Sequence, residues 1–294
     1  MCSRRSVPRV LALAEIPRAR ACCVLGVLAV SAACSVSVSE ADEREMGAEY
    51  AASVDSQVPL IADTVVTQFL TGLGRSMTSQ TSRANIDWRF KVANASALNA
   101  FALPGGFVYV TRGLIEHSDS LDELAGVMGH EIGHVVHRHN VKQLLEAANT
   151  DAAVVALCTL TSACSSLGGM IAVQVGADAR TAQYSQAQEA EADSEAVVNT
   201  FRAGIDPEGL TVFLQRLLDP RTTQPTFIEA FFATHPTDES RIRALRRHIA
   251  ALPRSNGTRF MRDTPEFQMV RAQLRAMPPP PPPYDTLGVA TRRQ

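Results

Sequence analysis

The stretch HEIGH, residues 130–134, constrains this chain more than any other feature. On a helix, histidines at i and i+4 share one face, one turn apart, and both imidazoles can reach the same ion. Glu131 sits about 100° round the helix from His130, beside such an ion, where a carboxylate can take a proton from water. The surrounding run ELAGVMGHEIGHVVHRHN predicts one continuous helix from Ser120 to about Ala147. Ser120-Leu121-Asp122-Glu123 reads as the capping box that opens it. Leu121, Leu124, Ala125, Met128, Ile132 and Val135 fall on one side, the expected core side, and His130, His134 and His137 on the opposite side. Gly126, Gly129 and Gly133 lie near the histidines and leave room for another backbone.

A catalytic zinc needs a third protein ligand and an open position. The extended pattern H-E-x-x-H-x-x-G-x-x-H fails here, because His137 stands where the glycine belongs and Asn140 where the third histidine belongs. The other solution is a carboxylate from a second helix. QEAEADSEA supplies Glu189 and Asp193 at i and i+4 on one face. One can bind the metal while the other holds a ligand histidine from behind. Glu191 and Glu195 read as a solvated acidic face. On an unbroken helix His139 points about 180° away from His130, so it reads as a structural hydrogen-bonding residue. His137 sits a turn too far along. His235, just before Pro236, is held at a loop–helix junction. His117 and His248 carry no context.

The rest of the chain predicts an α+β fold, mainly helical, with a small mixed sheet. Of 294 residues, 46% are hydrophobic and 20% charged, which suits a folded core. The net charge of −2 gives no electrostatic footprint for nucleic acid. Helical periodicity runs over 45–77. Strands are expected at 88–94 and within 99–115, where Pro104-Gly105-Gly106 marks the turn between two of them. Further helices are expected over 182–201, 207–218, 237–251 and 265–277. Residues 152–177 contain no charged residue but are broken by Ser, Thr, Cys and Gly. They read as a buried or site-covering helical hairpin.

The N-terminus stands apart. Five arginines precede an apolar run from Ala21 to Cys34, too short to span a bilayer comfortably. Residues 1–33 read as a signal peptide, of the lipoprotein type if SAAC is the cleavage box and Cys34 the lipid-modified residue, although Ser31 stands where such boxes usually carry Leu; plain cleavage or an uncleaved anchor is the alternative. Residues 34–44 then form a tether, 45–277 the domain that carries HEIGH, and 278–294 a Pro-rich disordered tail. In an exported chain Cys158 and Cys164 are either a disulfide or two small residues of a buried segment.

NAFALPGGFVYVTRGL, ELAGVMGHEIGHVVHRH, SQAQEAEAD and FFATHPTDESRI occur in that order. Together they resemble the HtpX-like and CAAX-prenyl-protease family of zinc metallopeptidases, a gluzincin family. The resemblance is greatest to its single-domain bacterial envelope lipoproteins of the LoiP and BepA type. It covers about residues 45 to 250. It implies one Zn2+ per chain on His130, His134 and Glu189, with Asp193 behind a ligand histidine and Glu131 as the base. It implies that His235 lies near the zinc, as a gate or as an aid to the transition state. Tyr184, next to the ligand helix, is a further candidate there. The resemblance also makes Pro104, Gly105, Gly106 and Phe107 part of the edge strand that receives the substrate peptide. The sequence departs at Gln186, where many members carry an arginine, which puts a supporting ion pair in question. The implied function is a zinc-dependent endopeptidase of the cell envelope that degrades misfolded or misassembled envelope proteins. The alternative is an assembly factor or chaperone with latent, His-gated protease activity. The implied location is the periplasmic face of a Gram-negative outer membrane, held through lipidated Cys34; Ser35 lacks the aspartate used for inner-membrane retention.

Overall fold

The structure, a computed structural model, describes residues 38–150, 184–219, 231–232, 234–253 and 259–280. The leader, Cys34, the apolar segment 152–177 with Cys158 and Cys164, and the tail beyond residue 280 lie outside the described residues. The fold is α+β and mainly helical, with one small mixed sheet.

The chain folds earlier than the sequence suggested. Helix α1 covers Glu40–Gln57, opened by a capping box in which the Ser39 hydroxyl accepts from the Asp42 N–H and the Asp42 carboxylate from the Ser39 N–H. Val38 is buried with Met46 and Val141. Residues 38–44, expected to belong to a tether, are therefore part of the folded body. The helical pattern over 45–77 is interrupted by Pro59, which cannot continue a helix. Helix α2 begins afresh at Thr64 and ends at Thr78, with Asp63 as its N-cap.

Three strands follow: β1 (Arg89–Ala93), β2 (Ala100–Leu103) and β3 (Phe107–Thr111). Their order is β1-β3-β2, parallel between β1 and β3 and antiparallel between β3 and β2. Pro104–Gly106 form a single 3-10 turn between β2 and β3. Gly105, at φ 77°, adopts a backbone conformation that other residues enter only at a cost. Helix α1 packs on this turn through Gly47, where a Cβ would come within 1.9 Å of the Pro104 carbonyl oxygen.

This topology corrects the substrate strand. Phe107 lies on β3, which is hydrogen-bonded on both sides and has no edge to offer. Pro104, Gly105 and Gly106 are buried under α1. Among the described residues the outer strands are β1 and β2; Leu60 bridges β1 at Ala93, and β2 is the one that packs beside the helix carrying HEIGH.

After the short helix α3 (Arg112–His117) comes α4, Leu121–Val136, the centre of the fold. Every residue from Leu121 to Val135 is buried, so the helix has no solvent side. Its start also differs from expectation. Ser120 makes no capping bond; Glu123 instead accepts from the Asp119 N–H, and the Ser120 hydroxyl turns to Asp122. The helix stops at His137, because Arg138 takes a left-handed conformation at φ 57°. That costs about 1–2 kcal/mol for a residue with a Cβ. Buried Glu43 offsets it by pairing with the Arg138 guanidinium at 2.7 Å, and is itself held by two hydrogen bonds from Arg83. A new helix, α5 (His139–Thr150), then begins.

The remaining helices are α6 (Gln186–Arg202), α7 (Gly209–Leu218), α8 (Glu239–Ala250) and α9 (Pro265–Ala276). Helix α4 meets α6 and α7 at very close range, and its glycines permit it. A Cβ at Gly133 would sit 2.8 Å from Ala192 Cα, one at Gly129 3.2 Å from Ala196 Cα, and one at Gly126 2.5 Å from the Leu210 nitrogen. The space read from the sequence is filled by backbone. Arg112, buried on α3, donates to the carbonyls of Met277 and Pro278 and so fastens the chain where the proline run begins. No helix among the described residues is long and apolar enough to cross a membrane.

Candidate metal centre

The close approach of α4 and α6 sets the site. Helix α4 presents His130 and His134 one turn apart, and α6 presents Glu189 and Asp193 one turn apart. His235 enters from the bend before α8. The His130 and His134 Nε2 atoms are 3.0 Å apart, and His235 Nδ1 lies 3.2 Å from His130 Nε2. Glu189 lies across from them, with Oε1 3.4 Å from His134 Nε2 and 3.0 Å from His235 Nδ1, and Oε2 3.5 Å from His130 Nε2. All four side chains are buried, and one ligand atom from each lies within 4.8 Å of all the others.

This donor set fits a divalent metal. A tetrahedral ion with ligands at about 2.0–2.1 Å holds their donor atoms about 3.3 Å apart, close to the spacings seen here. Two imidazoles with a carboxylate match the ligand chemistry of a catalytic metal, and a fourth donor, His235, covers the remaining position.

Glu131 is buried beside this group. Its Oε1 lies 3.3 Å from His235 Nε2, and neither carboxylate oxygen accepts a hydrogen bond among the described residues. Burial raises its pKa, opposed by His235 and His130, and more weakly by the nearby Ala102 backbone N–H. A carboxylate in that condition is suited to receive and hold a proton.

Asp193 stands behind His130, its Oδ1 2.9 Å from His130 Nδ1. Burial works to raise the Asp193 pKa, but Arg241 and His130 bring it below the usual carboxylate range. Arg241 is the residue the sequence reading missed. Its Nε and Nη2 both donate to Asp193 at 2.8 Å, and its Nη1 pairs with Glu189 Oε2 at 2.5 Å. The ion pair left in question by Gln186, which is exposed, is supplied from α8 instead. One sequence signal was available. Arg241 shares a helical stripe with Leu245 and Ile249, both buried, so it is a cation in a core position.

The kink at Arg138 corrects the reading of His139. On an unbroken helix it would face away; here it is fully buried, with Nδ1 2.9 Å from His134 Nδ1. Tyr184 stacks on the His134 ring, centroids 3.7 Å apart, and its hydroxyl accepts from Asn140. His137 lies toward Glu195, away from the metal position. His117 and His248 are exposed and belong to neither cluster of candidate ligands.

Residues 65–249 match the model of peptidase family M48. The chain belongs to this family. It is 32% identical over 223 residues to the beta-barrel assembly-enhancing protease of Escherichia coli strain K12, covering 73% of this chain and 45% of that protein. It is 27% identical over 216 residues to metalloprotease LoiP of the same organism, covering 73% of this chain and 83% of LoiP. Mitochondrial metalloendopeptidase OMA1 of Schizosaccharomyces pombe is 29% identical over 162 residues, 55% of this chain and 47% of that protein. The chain spans under half the length of the assembly-enhancing proteases it matches. In this M48 member His130, His134, Glu189 and His235 form one buried group with the spacing of a metal site.

Proposed function

We propose that this chain is a zinc-dependent endopeptidase of the bacterial cell envelope, with His130, His134 and Glu189 as the metal ligands. The observation that carries the reading is the buried Glu131 carboxylate, 3.3 Å from His235 Nε2 and held next to the converging ligand atoms. A purely structural metal site needs no such group.

Zinc at this position would supply a Lewis acid that acidifies water and polarises the scissile carbonyl. Glu131 takes the water proton and delivers it to the leaving amine. Asp193 fixes the His130 ring through Nδ1, which leaves Nε2 facing the site. Arg241 holds Asp193 and Glu189 in their charged forms. The outer edge of β2 passes beside Glu131 at Ala102, whose carbonyl accepts from Asn140. An extended peptide added to that edge would present its backbone to the base, so the expected substrates are unfolded or misassembled envelope proteins. The similarity to the assembly-enhancing protease and LoiP supports the envelope setting. Attachment through lipidated Cys34 and residence at the outer membrane belong to the same proposal.

A second reading has its own support. His235 is 1% exposed and fills the position that a substrate carbonyl would need. Its backbone N–H is bound to Phe231 O and its ring lies against Phe231, which favours the closed arrangement. The chain is then an assembly factor whose cleavage is latent until His235 moves.

The test is chelator-sensitive cleavage of an unfolded protein by the zinc-loaded chain and by its His235→Ala variant. Cleavage by both supports the endopeptidase, and cleavage by the variant alone supports the gated reading. Silence from both, with zinc bound, contradicts the proposal.

A further inference from the structure

We propose that His139 and Glu191 position the ligand His134 through a hydrogen-bonded chain running from the protein surface to the metal. Each imidazole of the HEIGH motif is then steered by its own carboxylate. The inference rests on the reading that His134 binds the metal through Nε2.

Two bonds carry it. His134 Nδ1 lies 2.9 Å from His139 Nδ1, and His139 Nε2 lies 2.9 Å from Glu191 Oε2. Both rings are fully buried, while the Glu191 side chain is 52% exposed. A neutral imidazole has one N–H donor and one acceptor. With Nε2 turned to the metal, His134 carries its proton on Nδ1 and donates it to His139 Nδ1. His139 therefore accepts on Nδ1 and carries its own proton on Nε2, aimed at Glu191. Each assignment follows from the one before, so the surface carboxylate selects the tautomer of a ligand two residues away along the chain of bonds. Asp193 does the same for His130 in a single step.

The kink at Arg138 makes this possible, since it turns His139 back toward α4. The chain of bonds also decides between two uses of these side chains. His137, His139 and Glu191 lie close enough together to suggest a second cation site. A proton on His139 Nε2 leaves that atom no lone pair for a metal and removes it from the set. The account therefore requires one zinc per chain.

The test uses the full chain, loaded with zinc, and its His139→Ala, His139→Asn and Glu191→Ala variants. Zinc affinity is measured by competition with a chromophoric chelator, and the histidine tautomers by 15N shifts. Removing a partner behind a metal ligand weakens binding about 10–100-fold, which is the loss expected for His139→Ala. His139→Asn keeps an acceptor oxygen near the Nδ1 position and should recover most of that loss. Glu191→Ala, at the exposed end, should cost less than His139→Ala. In the wild type His139 should be the Nε2–H tautomer. An Nδ1–H tautomer at His139, a second zinc equivalent, or full affinity in His139→Ala each overturns the proposal while leaving the peptidase reading intact. The tautomer readout needs no substituted chain, so it decides the matter even where a variant fails to fold. A wild type that binds no zinc overturns both.

Discussion

Arg241 lies between Glu189 and Asp193, with two hydrogen bonds to Asp193 at 2.8 Å and an ion pair to Glu189 at 2.5 Å. Its side chain is only 8% exposed. Removing one member of a buried charged network leaves the others uncompensated and costs about 3–5 kcal/mol. Arg241→Ala should therefore strongly destabilise the metal-free chain in urea unfolding. Zinc should restore part of the loss, because it supplies positive charge to the same Glu189. Equal destabilisation with and without zinc would contradict the shared-carboxylate geometry.

His130 sets a proton cost on metal binding. Burial pushes its pKa down, but Glu189 and Asp193 outweigh burial and raise it to about 9 in the metal-free site. Burial instead carries His134 well below the ordinary histidine value. The folded value of His130 lies above the roughly 6.5 of an unfolded histidine. Its contribution to stability is thus complete below about pH 6.5 and disappears as pH rises through 9. The same proton must leave Nε2 when the metal binds. Zinc loading at pH 7 should release about one proton from His130, and affinity should rise between pH 7 and 9. Calorimetry in two buffers of different ionisation enthalpy reads this directly. No proton release at pH 7 would refute it.

Gly133 allows α6 to approach α4 closely enough for Glu189 to face both histidines. In Gly133→Ala the new methyl would meet Ala192 Cα at 2.8 Å, a backbone atom that cannot step aside alone. Overpacking of this kind costs about 1–3 kcal/mol. The thermal midpoint should fall, and zinc affinity should fall more than tenfold as Glu189 moves away. Unchanged affinity in a folded Gly133→Ala chain would show that helix spacing does not set the site.

Much of this was legible in the sequence, for identifiable reasons. The i, i+4 pairs His130/His134 and Glu189/Asp193 depend only on helical geometry, and short-range periodicity revealed both helices. The close-packing glycines at 126, 129 and 133 were also readable as a pattern. What failed depended on contacts distant in sequence. The left-handed turn at Arg138 is held by Glu43, about a hundred residues away, and it moved His139 from the far side of a helix to the back of a ligand. Strand order decided which strand is the edge, and nothing local in Phe107 says that both its neighbours are paired. The folded segment at 38–44 follows from Val38 and Glu43 finding partners across the fold. Pro59 was a local signal, and the periodic pattern obscured it. Arg241 was hidden among four arginines in a short helix, distinguishable only by its place on the apolar stripe.

The central claim is that a metal held by His130, His134 and Glu189 works with Glu131 to hydrolyse peptide bonds. The most direct measurement is kcat/KM on an unfolded protein substrate for the zinc-loaded chain and its Glu131→Gln variant, with bound zinc quantified in both and His235→Ala as the background if the wild type is silent. Loss of a general base lowers the rate about 10²–10⁴-fold. The account predicts a loss of that size with zinc content unchanged. Cleavage that survives in Glu131→Gln at full rate, with zinc bound, would contradict it.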